Sequence, residues 1–166
     1  MGIDVAVGPD SSRVFVTGQS PGRTSGHDYI TLGYDAGTGA QLWAARYDGP
    51  AQRGDRCLAQ GVSPDGGSVY VTGGSTGSGS GRDFPTIAYG AELGSLEWIG
   101  RYDGPSGLSD EAYSIAVRPD GSELFVTGTS SGGPDRWGLR HRGLHHRLTS
   151  ATRFVPVPFP CAGSTP

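Results

Sequence analysis

A spacing of 55 residues organises most of this 166-residue chain. Pro9-Asp10, Pro64-Asp65 and Pro119-Asp120 follow one another at that interval. The same offset carries Val14-Phe15-Val16-Thr17-Gly18 onto Val69-Tyr70-Val71-Thr72-Gly73, and then onto Leu124-Phe125-Val126-Thr127-Gly128. It also carries Arg46-Tyr47-Asp48-Gly49-Pro50 onto Arg101-Tyr102-Asp103-Gly104-Pro105, and Trp43 onto Trp98, without a gap. A chain with such a period stacks copies of one supersecondary unit, because a single copy cannot bury its apolar face alone.

Each period holds four runs rich in β-branched and aromatic residues, at 29–34, 41–47, 58–62 and 68–72 in the copy that is fully covered. Asp35-Ala36-Gly37-Thr38-Gly39, Asp48-Gly49-Pro50 and Ser63-Pro64-Asp65-Gly66 separate them with residues that fix or relax φ as turns require. With 30 glycines and 12 prolines in the chain, no 3.6-residue apolar pattern survives in residues 1–133, so no helix is predicted there. The expected fold is all-β, built from antiparallel four-stranded β-propeller blades. A β-sandwich would account for the strands but not for the fixed period.

The division predicted from the repeat is a partial blade at 3–27, a blade at 28–82 and a blade at 83–133, followed by a tail at 134–166. Two and a half blades cannot close a ring that needs roughly 4–8. The expected partners are therefore neighbouring blades of a longer protein or copies of the chain itself.

The pattern Asp-(Tyr/Phe)-x-Thr-(Ile/Leu)-x-Tyr, then Trp, Arg-Tyr-Asp-Gly-Pro and Pro-Asp-Gly-x-x-(Val/Leu)-(Tyr/Phe)-Val-Thr-Gly resembles the SBBP-type bacterial β-propeller repeat over about residues 3–131. That resemblance implies a secreted or cell-surface protein. The segment from Asp35 through Gly39 to Trp43 is also similar to the tryptophan-docking motif of pyrroloquinoline-quinone propellers; the next copy keeps Gly94 and Trp98 of it. Gly90 stands where Asp35 does in the first copy. A quinone site would want calcium ligands that typically include Asn, which this sequence lacks, so no cofactor is expected.

Lys is absent as well, and Arg supplies all 13 basic side chains, the mark of a GC-rich genome. Met1-Gly2-Ile3-Asp4 has neither the basic start nor the apolar run of a signal peptide, so secretion is expected only as part of a longer protein. No apolar run reaches the ~18 residues of a membrane span. Residues 1–133 carry 8 Arg and 15 acidic residues, whereas 134–166 carry 5 Arg and 1 Asp. The tail also stops matching the repeat. Codons chosen for Trp137 through Leu144, read one base later, encode Gly-Asp-Tyr-Ala-Thr-Val-Ala-Tyr, the opening of a fourth blade with its Asp two periods after Asp28. The expectation is a frameshifted, irregular tail.

Candidate chemistry is sparse. His141, His145 and His146 have helical metal-ligand spacing, and 136–153 forms a basic run with Trp137, but the frame argument accounts for both without zinc or nucleic acid. Asp48, Asp103, Asp65 and Asp120 precede Gly or follow Pro, which turns demand, and no EF-hand-like run is present, so no metal site is expected. Arg46 and Arg101 are expected to pair with Asp48 and Asp103 two residues on, and Trp43 and Trp98 to pack between blades. Cys57 and Cys161 have no C-x-x-C partner, and no Gly-x-Ser-x-Gly elbow occurs with Asp and His in order. The expected function is a non-catalytic scaffold or binding module for an unknown protein or carbohydrate. The alternatives are a piece of a quinone- or sugar-processing propeller enzyme, and a remnant without activity.

Overall fold

A computed structural model describes residues 1–22, 26–104 and 106–131, together with the backbone of 142–143, 146–147 and 157–158. Ten strands carry the architecture: β1 (Gly2–Val7), β2 (Arg13–Pro21), β3 (His27–Asp35), β4 (Gln41–Tyr47), β5 (Arg56–Val62), β6 (Ser68–Thr76), β7 (Arg82–Gly90), β8 (Leu96–Tyr102), β9 (Asp110–Val117) and β10 (Glu123–Ser130). Three two-residue strands follow, β11 (Arg142–Gly143), β12 (His146–Arg147) and β13 (Val157–Pro158). No helix among the described residues is long and apolar enough to cross a membrane.

Strands β1–β4 form one antiparallel sheet and β5–β8 a second, each paired in chain order; β9 and β10 form the start of a third, with β12 on its edge. Strand β5 packs across β1, β2 and β3, and β9 across β5, β6 and β7, so the first strand of each sheet lies innermost. Gln60 on β5 reaches back across this line: its amide N–H donates to Asp4 Oδ2 at 2.9 Å, and its Nε2 to the carbonyl of Phe15 at 2.9 Å.

This grouping corrects the expected blade boundaries. The pairing of Arg13 with Asp35 through Pro21 with His27 joins β2 to β3, where the sequence division placed the end of a partial blade 3–27 and the start of blade 28–82. The break falls instead in the connection 48–55, giving two complete sheets and half of a third. A repeat has a period but no phase, so any starting point within the 55 residues reproduces it equally well. Only the hydrogen-bond ladder says where one sheet stops. The expected tail at 134–166 lies outside the described residues apart from its three short strands. Of these, β12 pairs His146 with Leu124, whereas the equivalent Val14 and Val69 pair with Tyr34 and Tyr89. The repeat would place residue 144 there, so the third sheet's edge is out of register with the first two.

Two apolar interfaces hold the sheets together, and they are copies. Phe15, Tyr29 and Trp43 of the first sheet meet Cys57, Val69 and Val71 of the second. Fifty-five residues later, Tyr70, Phe84 and Trp98 meet Ala112, Leu124 and Val126 of the third. Ile87, Tyr89 and Ala91 complete the first interface. Trp43 is the wedge between the first two sheets. Its indole lies against Gly33 on the neighbouring strand and against Gly94 in the β7–β8 turn, and its Nε1 donates to the carbonyl of Ala91 at 3.0 Å. A Cβ on Gly94 would stand 2.5 Å from Trp43 Cε3, and its φ of +66° is one that glycine adopts without strain. Phe15 packs on the indole from the same sheet, with ring centroids 5.9 Å apart. Trp43 is 8% exposed, while Trp98 is only half-buried, tilted against Tyr70. Trp43→Ala is therefore expected to destabilise the chain by about 3–5 kcal/mol, and Trp98→Ala by less, in paired denaturant melts. A loss below about 1 kcal/mol for Trp43→Ala would contradict the wedge.

Candidate functional site

Polar side chains gather at the two ends of the sheets, and the turns decide which. At one end lie the β1–β2, β5–β6 and β7–β8 turns, enclosing a cleft of about 300 Å³ between the first two sheets, lined in part by Asp10, Arg13, Asp65 and Glu92. Its aspartates are tied into their own turns. Asp10 accepts from the Ser12 amide and hydroxyl, and Asp65 from the Ser63 hydroxyl and the Gly67 amide. These bonds favour the anions: Ser12 holds the Asp10 carboxyl, and Ser63 that of Asp65, below the usual carboxylate range. Asp120 makes the same turn with Ser122, and Asp35 with Thr38, so Asp35 and Gly39 serve the β3–β4 hairpin.

At the other end, the connections between sheets bring arginines and buried carboxylates together. Arg46 Nη1 donates to Asp28 Oδ2 at 2.8 Å and to the carbonyl of Pro21, and its Nη2 donates to Ser20 Oγ. Arg101, one period on, donates to Asp83 Oδ2 at 2.8 Å, to Ser75 Oγ and carbonyl at 3.1 Å each, and to Tyr47 Oη of the first sheet. The expected partners Asp48 and Asp103 are not the ones used. They lie just beyond the ends of β4 and β8, whereas Ile30 pairs with Arg46, which sets Asp28 on the adjoining strand diagonally across on the same face. Arg101 thus spans two sheets, and Arg46 laces one.

Asp55 and Asp110 are two further carboxylates, outside the turn motifs of the repeat. Both are buried, and each accepts the backbone N–H at the start of its connection: Gly49 to Asp55 Oδ2 at 2.6 Å, and Gly104 to Asp110 Oδ2. Burial pushes both carboxyls above the ordinary range, with Ser75 and Gly49, or Ser130 and Gly104, pulling the other way. Their signal was in the sequence, since 28 to 83, 48 to 103 and 55 to 110 are all separated by the repeat. One carboxylate oxygen from each of Asp28, Asp48 and Asp55 lies within 4.8 Å of the others.

Cys57 sits between the first two sheets, fully buried, with its Sγ 2.9 Å from Thr17 Oγ1. Burial pushes its thiol up to about 12, which removes the thiolate at neutral pH. His141, His145, Trp137, Cys161 and most of the basic run lie outside the described residues, and of His146 only the backbone is described.

Neither a family model nor a curated protein matches the sequence. Solved structures do match. The Pseudomonas aeruginosa periplasmic gluconolactonase PpgL superposes with a TM-score of 0.60 at 18% identity, over 94% of this chain and 44% of that one. The dihydro-heme d1 dehydrogenase NirN, in complex with DHE, gives 0.59 at 15% identity, over 96% of this chain and 28% of that one. Kuenenia stuttgartiensis hydrazine synthase gives 0.57 at 15% identity, over 87% and 39%. The chain has the β-propeller fold, as an incomplete ring. It spans 28–44% of the length of these propellers.

Two measurements test the assignments at this site. Arg101→Ala should cost about 2–3 kcal/mol in denaturant melts, because it strips bonds from both sheets and leaves the buried Asp83 without its counter-charge. Arg46→Ala should cost about 1–2 kcal/mol: it too leaves a buried carboxylate, Asp28, without its counter-charge, but it strips bonds from one sheet only. Equal losses would argue against the inter-sheet role. For Cys57, a thiol reagent at pH 8 should leave it unlabelled in the folded chain and label it once the chain is unfolded in denaturant; rapid labelling of the native state would contradict its burial.

Proposed function

We propose that the chain is a non-catalytic run of blades within a longer SBBP-type propeller, acting as a scaffold or binding module of a secreted or cell-surface bacterial protein. One observation carries this reading: the polar residues that recur with the period are engaged in holding the period together. Arg46 and Arg101 lace strands and sheets, Asp10, Asp65 and Asp120 close turns, and Asp55 and Asp110 anchor the connections. A unit whose recurring chemistry is structural is a building element.

Its partner on the first sheet is a further blade of the same kind. Val14, Val16, Leu32 and Tyr34, partly exposed there, stand one period before Val69, Val71, Ile87 and Tyr89, which the first sheet covers. Gly39 has nothing near the space a Cβ would take, at the position where Gly94 receives the indole of Trp43. That face matches a blade bearing a tryptophan. Another copy of the chain offers Arg153 one period after Trp98, so a neighbouring blade fits better than a second copy.

A second reading, a segment of a propeller enzyme, has the cleft of about 300 Å³ in its favour. The gluconolactonase among the similar structures suggests the substrate to try. Two experiments decide. The isolated chain is expected to bind a hydrophobic dye and to associate in sedimentation runs, with Leu32→Glu reducing both; a monomer that unfolds cooperatively and binds no dye would overturn the module reading. Gluconolactone is expected to hydrolyse no faster with the chain than in buffer. Saturable turnover would move the assignment to the enzyme.

A further inference from the structure

We propose that the junction between the first two sheets is a binding site for a divalent cation of the calcium class, held by Asp28, Asp48 and Asp55. The three residues arrive from different places in the sequence: Asp28 near the start of β3, Asp48 just after β4 and Asp55 just before β5. Among the described residues this is the group of three acidic, His or Cys side chains whose ligand atoms come within 4.8 Å of one another. A turn role for Asp48 predicts no metal here; the packing of the first two sheets brings it to Asp28 and Asp55.

The pairing of the buried oxygens points to a ligand. Asp28 and Asp55 are 1% and 2% exposed. In each, Oδ2 is satisfied, by Arg46 Nη1 at 2.8 Å and by the Gly49 N–H at 2.6 Å. In each, Oδ1 is buried with no hydrogen-bond partner. Ser75 Oγ stands beside Asp55 and favours its anion, but it does not form a hydrogen bond with Oδ1. Two buried carboxylates of one cluster, each with an unsatisfied oxygen and with a third carboxylate close by, are unfavourable by both desolvation and repulsion. A hard cation removes both penalties at once. Three carboxylates with no nitrogen or sulfur donor suit calcium, which accepts irregular oxygen sets completed by carbonyls and water. Asp48 is exposed, which leaves a side open for the ion and its waters. Arg46 offsets part of the negative charge, so the affinity belongs to the weak, extracellular range, with a Kd of about 0.1–1 mM.

The next junction supplies an internal control. Asp83, Asp103 and Asp110 are the same residues one period on, but there Asp83 Oδ1 accepts from Ser80 Oγ at 2.8 Å while Oδ2 takes Arg101. That carboxylate is fully engaged. Asp110 Oδ1 is then the one unpartnered buried oxygen of that set, against two at the first junction, and among the described residues only the first set brings three ligand atoms within 4.8 Å, so the cation site is assigned to the first junction.

The test uses the full chain, freed of metal by chelation, with calcium chloride as the ligand. Calcium should produce a saturable rise in thermal midpoint, and terbium should give luminescence sensitised by nearby tyrosines that calcium displaces. Asp48→Asn alters an exposed side chain and relieves repulsion, so the metal-free chain should melt no lower than the parent, while calcium binding weakens at least ~10-fold, since one of three charged ligands is lost. Asp103→Asn should bind calcium as the parent does. No saturable response in the parent chain, an equal response to sodium chloride of matched ionic strength, undiminished binding by Asp48→Asn, or loss of binding in Asp103→Asn would each overturn the proposal.

Discussion

The indole of Trp43, lodged between Gly33 of its own sheet and Gly94 of the next, is the contact on which the rest of the structure depends. A four-stranded sheet with an aromatic face has nowhere to bury that face except against another sheet. The 55-residue period ensures that the next sheet presents the complementary face at the right height. Each interface buries the same three positions of one sheet against the same three of its neighbour, so the chain gains stability interface by interface, as repeat proteins do. The two glycines matter because any side chain there would occupy the space the indole fills.

The same offset also governs the polar ends. Arg101 reaches Tyr47 of the preceding sheet as well as Ser75 and Asp83 of its own, whereas Arg46, with no described sheet before it, reaches only residues of its own sheet. The comparison shows that one repeated residue does two kinds of work depending on whether a neighbour is present. It also explains why burial rises from the first sheet to the second. β6 and β7 are buried along most of their length, whereas the equivalent β2 and β3 alternate between buried and partly open positions.

Small departures from perfect repetition then give each junction its own character. Cys57 stands where Ala112 stands one period later, so only the first interface places a thiol against Thr17. Asp28 and Asp83 differ in whether the second carboxylate oxygen is engaged, so two junctions with the same acidic residues differ in what they can bind. In the third sheet the residues that would continue the pattern are replaced by a short strand paired out of register, and the interface there remains thinner around Trp98.

Strand content, turn positions, the number of sheets and the packing role of Trp43 were all legible in the sequence. They follow from local preferences and from a period that needs no structure to be seen. The boundaries of the sheets were not legible, because repetition leaves the starting point of the unit undefined until hydrogen bonds join β2 to β3 and part β4 from β5. Nor were the partners of Arg46 and Arg101. Proximity along the chain pointed to Asp48 and Asp103, but the register between neighbouring strands, which sequence does not state, set Asp28 and Asp83 within reach. The gathering of Asp28, Asp48 and Asp55 is the clearest case. Each recurs visibly, yet whether a carboxylate is buried, and which of its oxygens is left without a partner, depends on how one sheet settles against the next. That is a property of three-dimensional packing.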